Sequence, residues 1–170
     1  MKKGYTILLV IVLIIIILVA SIVGRYNKMQ TKKVDVDTAW SQVENQYQRR
    51  FDLIPNLVST VQGAADFEKG TLTDVIEARA KVGQMTVTPE TLTDPEAFAK
   101  FQKAQDGLSS ALSRMMLVVE RYPELKANQN FLELQAQLEG TENRVAVERG
   151  RFNDSVKSFN AYIVVFPNNI

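Results

Sequence analysis

The side chains that could carry chemistry in this chain are carboxylates and guanidinium groups, because the sequence contains no histidine and no cysteine. The commonest general base and transition-metal ligand is therefore missing, and so are disulfide and thiol chemistry. Glu139 and Glu142 would share one face of a helix, where two carboxylates in different environments can act as acid and base. Acidic pairs at this spacing are ordinary on solvated helices, so a carboxylate-dependent hydrolase is only a remote alternative.

Other catalytic and ligand-binding patterns are absent from the sequence. No serine lies in a nucleophile elbow, and a di-metal bundle would need Glu-x-x-His pairs. The glycines are isolated and form no phosphate-binding loop. The net charge of +1 comes from interleaved acids and bases, which gives no reason to expect nucleic acid. We therefore expect no cofactor, no metal, no catalytic residue and no small-molecule substrate.

Several charged residues lie on or beside the apolar faces of predicted helices, namely Glu68, Arg79, Glu142 and Arg149. Because a buried charge is costly unless it is paired, we expect ion pairs between helices, joining Arg50 or Arg79 to Glu139 or Glu142. In one interpretation this network only fixes the register of the helices. In the other it forms a partner-binding patch of Arg49, Arg50, Asp52, Asn56, Glu142 and Asn143.

The helices that position these charged side chains follow a stretch of nineteen uncharged residues, Tyr5 to Val23. As a helix they would be roughly 28 Å long, which matches the hydrocarbon core of a bilayer. We predict a tail over 1–4, a transmembrane helix over 5–24 and a water-facing domain over 25–170. Residues predicted to anchor it in lipid include Tyr5, Ile7, Leu13, Ile17 and Val23. The long apolar core and Ile22 near its end favour a retained anchor over a cleaved signal peptide.

The orientation of this helix follows from the basic residues at its two ends. The amino terminus, Lys2 and Lys3 precede it, whereas Arg25, Lys28, Lys32 and Lys33 follow it. By the positive-inside rule the larger cluster weakly favours a cytoplasmic domain. These basic side chains could also contact anionic headgroups of the membrane lipid.

Apolar periodicity then predicts helices throughout the domain. The first runs from Asn27 to Phe51, with Trp40 on its core-facing side. Pro55 either begins a second helix ending near Gln84 or only kinks the first. Gly83 to Thr93 is predicted to be a loop.

Two further helices show repeats of seven residues, which favour left-handed bundle packing. The third begins at Asp94-Pro95-Glu96 and stops at Pro123, and the fourth is predicted to be capped by Asn130 with Glu133. The core positions of the fourth are Phe131, Leu138, Val145, Phe152, Phe159 and Phe166. The predicted fold is all-α: a transmembrane helix followed by an up-and-down antiparallel four-helix bundle, or by three long helices if Pro55 is only a kink.

An even number of helices would return the apolar run from Tyr162 to Phe166 toward Arg25, whereas three would leave it far from the bilayer. The run must be covered by the core, by lipid or by another subunit.

Three sequence motifs resemble those of the LemA family. They are Arg49 to Val58, which contains Asp-Leu-Ile-Pro-Asn-Leu-Val, then Glu77-Ala78-Arg79, and Leu138 to Arg144, which reads Leu-Glu-Gly-Thr-Glu-Asn-Arg. The resemblance covers essentially the whole chain. It implies a bacterial membrane protein with a short terminal tail, one span and a helical bundle, and it implies no established activity. Members of the family continue past the Phe166-Pro167 motif, so the resemblance leaves open whether a further packing element follows Ile170.

Together these patterns predict a non-enzymatic, membrane-associated scaffold or assembly module that forms homo-oligomers. The alternative is a membrane-tethered adaptor that binds a heterologous protein partner.

Overall fold

The computed structural model describes residues 2–63, 67–85 and 87–169, and within these residues the secondary structure is entirely helical. The all-α prediction is confirmed. The helices are α1 (Lys2–Gln62), α2 (Lys69–Gly83), α3 (Pro89–Thr93), α4 (Pro95–Val119), α5 (Pro123–Lys126) and α6 (Gln129–Val164).

The first helix is one element of 61 residues with Pro55 inside it. The predicted helix start at Pro55 is therefore wrong, and the alternative of a continuous helix through Pro55 is correct. Four long helices still form, because α1 ends at Gln62, just before Gly63, and α2 begins at Lys69. The apolar spacing of the predicted second helix also places Ala65 on its core face, but Ala65 lies outside the described residues.

Residues 45–145 form one compact unit, a bundle of the end of α1, α2, α4 and the start of α6. Each helix contributes apolar side chains at helical spacing to a shared core. Its most buried members are Ile54, Leu57, Val61, Val75, Leu108, Met115 and Phe131. Glu68 pairs with Arg121, and Asp74 with Arg114, so α2 and α4 run antiparallel.

Residues 1–44 and 146–170 form the second compact unit, in which α1 and the end of α6 pair antiparallel. Trp40 is buried, as predicted, and its ring packs edge-on against Phe152 with the centroids 5.2 Å apart. Further along, Lys32 Nζ donates to Ser158 Oγ at 2.7 Å. The Tyr162 hydroxyl then donates to the Arg25 carbonyl oxygen at 3.2 Å. The chain therefore returns to the end of the apolar segment, as an even number of long helices requires.

Within the described residues, α1 alone is long and apolar enough to cross a membrane. The side chains of its apolar segment are largely exposed, including those of the predicted anchor residues Tyr5, Ile7, Leu13, Ile17 and Val23. An apolar helix with no protein covering its side chains has the surface expected of a lipid-facing segment.

The structure confirms one predicted helix cap and contradicts another. Asp94 caps α4, since its Oδ1 accepts from the backbone N–H of Glu96 at 2.9 Å and of Ala97 at 3.2 Å. The predicted cap of α6 at Asn130 is wrong: Asn128 Oδ1 accepts from the N–H of Phe131 at 3.2 Å instead. The helix begins one residue before Asn130, so Asn130 already lies in its first turn. Short α3 also forms inside the predicted loop.

The heptad pattern of the fourth helix ends before its last predicted core position. Phe131, Leu138, Val145 and Phe152 are buried, and Phe159 is half-buried. Phe166 is 74% exposed, so its placement in the core is wrong. The helix stops at Val164, and the following turn carries Phe166 away from the face that the heptad defines.

Candidate functional site

Arg50 lies on the core-facing stripe of α1, three residues after buried Tyr47 and four before buried Ile54. This spacing directs its side chain inward with the apolar residues. It is 1% exposed, the largest of the fully buried side chains in the described structure. A guanidinium stays charged at any ordinary pH, so burial on this scale demands acceptors around it.

Three side chains from two other helices supply those acceptors. Arg50 Nη1 donates to Glu142 Oε1 at 2.7 Å and to Ser109 Oγ at 2.6 Å. Its Nη2 donates to Gln105 Oε1. Ser109 Oγ in turn donates to Glu142 Oε2 at 3.1 Å, so both carboxylate oxygens are engaged. The cluster ties α1 to α4 and α6.

The environment of the cluster is asymmetric. Arg50 and Gln105 are buried, whereas the Glu142 side chain keeps 34% of its surface exposed. The Tyr47 ring lies beside the guanidinium, with Arg50 Cζ 5.2 Å from the ring centroid. Arg50 Nε is buried and has no hydrogen-bond partner among the described residues. Glu142 thus provides a charged edge that water reaches, while its arginine partner offers no surface to a second molecule.

A second contact explains how α1 tolerates a proline in its interior. Pro55 has no N–H, so the carbonyl of Phe51, four residues earlier, loses its helical donor. Arg79 on α2 replaces that donor, with its Nε–H directed to the Phe51 carbonyl oxygen at 3.2 Å. Its guanidinium also stacks over the Phe51 ring, 3.8 Å from Cζ to the centroid. A side chain at Gly83 would crowd the same ring, since a Cβ there would lie 3.2 Å from Phe51 Cζ.

The structure brings together only some of the residues proposed from the sequence. Of the four possible ion pairs, Arg50 with Glu142 is present, whereas Arg79 contacts the Phe51 backbone. Glu139 accepts instead from Gln135 Nε2 at 2.9 Å on its own helix. It is therefore engaged separately from Glu142, and no acid–base arrangement of the two is seen.

The other proposed residues lie at the surface or near it. Asp52 accepts from Gln48 Nε2 at 2.8 Å, and Glu68 pairs with Arg121 at 3.0 Å in an exposed contact. Arg149 is half-buried in the unit of residues 1–44 and 146–170. Arg49, Asn56 and Asn143 are exposed. Residues 2–63, 67–85 and 87–169 contain no group of three acidic side chains placed to hold a metal ion.

Sequence reasoning missed a groove between α2 and α4, with a volume of about 540 Å³. Small residues form its floor, among them Ala104, Gly107 and Ala111, and charged side chains form its rim. The rim residues are Asp74, Glu77, Lys81, Lys100, Lys103 and Arg114. The run of small residues on one face of α4 is the signal that could have indicated it.

Comparison with known proteins supports the relationship to the LemA family that the sequence motifs suggest. The model of the LemA family matches residues 39–170. Magnetosome protein MamQ of Magnetospirillum gryphiswaldense is 27% identical over 168 residues, covering 88% of this chain and 61% of its own. Magnetosome protein MamQ 1 of Paramagnetospirillum magneticum is 25% identical, covering 97% and 66% respectively.

Protein LemA of Metamycoplasma hominis is 24% identical over 147 residues, covering 86% of this chain and 63% of its own. The chain thus spans slightly less than two thirds of the length of these curated relatives. Because the family model covers most of the sequence, including the motifs that contain Arg50, Arg79 and Glu142, this chain belongs to the LemA family.

Proposed function

We propose that this protein is a non-enzymatic scaffold, anchored in a membrane by one span and assembling through contacts between copies of its helical domain. The family assignment and the apolar segment of α1 support a membrane localisation. The single crossing, the self-assembly and the side of the membrane are parts of the proposal.

The observation that carries the proposal is the continuity of α1. One helix extends from the apolar segment to the buried residues Ile54, Leu57 and Val61 without a non-helical linker. A flexible tether would let a domain search for partners over a wide volume. The unbroken α1 suits a module that repeats laterally in a membrane.

The non-enzymatic part of the proposal draws on the contacts of the charged side chains. Both oxygens of Glu142 are bound by Arg50 and Ser109, and Arg79 serves the Phe51 carbonyl. These contacts satisfy groups that the fold itself has buried or deprived of a donor, so a structural role accounts for them. We infer that the network fixes the register of the helices.

We further propose that the bundle lies on the cytoplasmic side. Arg25, Lys28, Lys32 and Lys33 follow the apolar segment closely, and clusters of this kind are retained in the cytoplasm. A membrane-impermeant thiol reagent tests this with Leu117→Cys, because the natural sequence has no cysteine and Leu117 is 72% exposed. Labelling only after the cells are opened supports a cytoplasmic bundle, and labelling in intact cells contradicts it.

The native mass of the full-length protein, extracted in mild detergent, tests self-assembly. A discrete complex containing only this chain is the expected result, and a monomer across a range of protein concentrations and detergents would contradict it. Cross-linking of single cysteines at exposed Leu117 and exposed Val147 then compares an outer face of α4 with one of α6. Disulfide formation at one position and not at the other would show which face the copies share.

A second candidate function, a membrane-tethered adaptor, is favoured by the groove between α2 and α4. Four basic and two acidic side chains form its rim, so it suits an acidic segment of another protein. A photo-cross-linker at Lys103 should then capture one defined protein in cells. The same group at exposed Leu132 on α6 should not capture that protein. Equal capture at both positions would argue against the groove.

A further inference from the structure

The end of α6 and the turn that follows it expose three consecutive apolar side chains. Val164, Val165 and Phe166 are 70%, 59% and 74% exposed. The turn is held in place by hydrogen bonds, because the Asn168 backbone N–H donates to the Val165 carbonyl at 2.8 Å and Asn168 Nδ2 donates to the Tyr162 carbonyl at 2.9 Å. The apolar group is therefore presented in a defined conformation rather than covered by the helices beside it.

The position of this turn follows from the pairing of α6 with α1. Contacts between the two helices pass from Trp40 and Phe152 through Lys32 and Ser158 to Arg25 and Tyr162. Continuing this antiparallel pairing by a few residues brings the turn beside the last residues of the apolar segment, which ends at Val23. The exposed group thus lies at the level where α1 would leave the hydrocarbon core.

The charges around the turn indicate what covers it. Lys28 Nζ and Lys32 Nζ lie 5.6 and 5.9 Å from the centroid of the Tyr162 ring. An aromatic ring with ammonium groups beside it, next to exposed apolar side chains, is the composition of a segment at the interface of a membrane with anionic headgroups. If a second copy packed symmetrically on this face, its Lys28 and Lys32 would approach Lys28 and Lys32 of the first copy. The repulsion between these like charges is unfavourable.

From this geometry we infer that the segment 162–167, called here the C-terminal turn, docks into the interface of the membrane that α1 crosses. The protein then touches the bilayer at two places, through the span and through the apolar side chains of Val164, Val165 and Phe166. The occupant of this surface is lipid, with anionic headgroups near Lys28 and Lys32. The inference rests on the single crossing proposed above, and the experiment separates failure of one from failure of the other.

The experiment uses the full chain in vesicles of phosphatidylcholine containing a minority of phosphatidylglycerol. Single cysteines at Val165, Leu13 and Val147 each carry a nitroxide, and relaxation by oxygen and by a water-soluble nickel chelate reports the depth of each label. All three positions are exposed in the structure, so none of the substitutions disturbs the core. Val147→Cys is the matched control, since it replaces the same residue type at a similarly exposed position on α6, the helix that ends just before Val165.

The expected result is that the label at 165 collides several-fold less with nickel than the label at 147, and more with oxygen. Phe166→Asn added to the Val165→Cys chain should raise nickel access at 165. Leu117→Asn, a change at a similarly exposed apolar residue of the other unit, should leave that access unchanged.

Nickel access at 165 equal to that at 147, with Leu13 protected, would overturn the docking of the turn and leave the span intact. Nickel access at Leu13 would overturn the span and the docking together. Dipolar broadening at 165 that disappears when labelled chains are diluted with unlabelled ones would assign the surface to a second copy and overturn the lipid assignment.

Discussion

Replacing Glu142 with alanine tests whether the Arg50 cluster holds the bundle together. The substitution removes the carboxylate that accepts from Arg50 Nη1 at 2.7 Å and from Ser109 Oγ at 3.1 Å. Arg50 remains buried, with Gln105 and Ser109 as its acceptors. The variant therefore contains a guanidinium shielded from water that has lost its only anionic partner among the described residues.

The expected loss follows from the asymmetric burial of the pair. Breaking a fully buried ion pair costs about 3–5 kcal/mol, because the remaining charge is left without compensation. Glu142 is 34% exposed, so part of the attraction is already screened by water. The neutral acceptors also keep some of the hydrogen bonding. We therefore expect the free energy of unfolding to fall by about 2–3 kcal/mol, which corresponds to a decrease in Tm of roughly 5–10 °C for a chain of this size.

Thermal unfolding of the full-length protein in detergent, followed by far-UV circular dichroism, measures this loss. Glu139→Ala is the matched control, because Glu139 lies on the same helix and accepts a hydrogen bond from Gln135 at the surface. That variant should stay within about 0.5 kcal/mol of the parent. A Glu142→Ala protein with an unchanged Tm that no longer assembles would refute the structural account and favour a patch used in binding.

Two further predictions concern helix stability and are measured by the same unfolding assay. Arg79→Met should destabilise the protein by about 1–2 kcal/mol, because the carbonyl freed by Pro55 loses its donor. In a Pro55→Ala background the new N–H serves that carbonyl, so the cost should drop by about 1 kcal/mol, and equal costs in both backgrounds would disprove the link. Asn128→Ala should cost about 1 kcal/mol through loss of the α6 cap, while Asn130→Ala should cost little; the reverse order would return the cap to Asn130.

Most of the helical architecture could be predicted from the sequence, because apolar spacing determines which face of a helix is buried. The positions Trp40, Phe131, Leu138, Val145 and Phe152 are buried where the periodicity placed them. The Asp94 cap was predictable for the same kind of reason, since its chemistry depends only on the next few residues. Local patterns of this sort need no knowledge of the rest of the fold.

The errors occur where a distant residue changes the outcome. Pro55 would be expected to end a helix, but Arg79 supplies the missing donor from another helix, and no local pattern records that contact. The pairing of Arg50 with Glu142 rather than Glu139 depends on the rotation of α6 against α1, which periodicity defines only to within a turn. Phe166 keeps the heptad spacing, yet its helix has already ended.

The Arg50–Glu142 and Arg79–Phe51 contacts also bear on why the family motifs are recognisable in a chain without evident catalytic residues. The motif that contains Arg50 and Pro55 leaves a buried cation and a backbone carbonyl without its helical donor. Glu142, in the third motif, pairs with the cation, and Arg79, in the second, donates to the carbonyl. We infer that these motifs report the construction of the bundle, in which three separated stretches of sequence meet. The residues that distinguish one partner from another should then be sought on exposed surfaces such as the groove between α2 and α4, where substitution leaves the core unaffected.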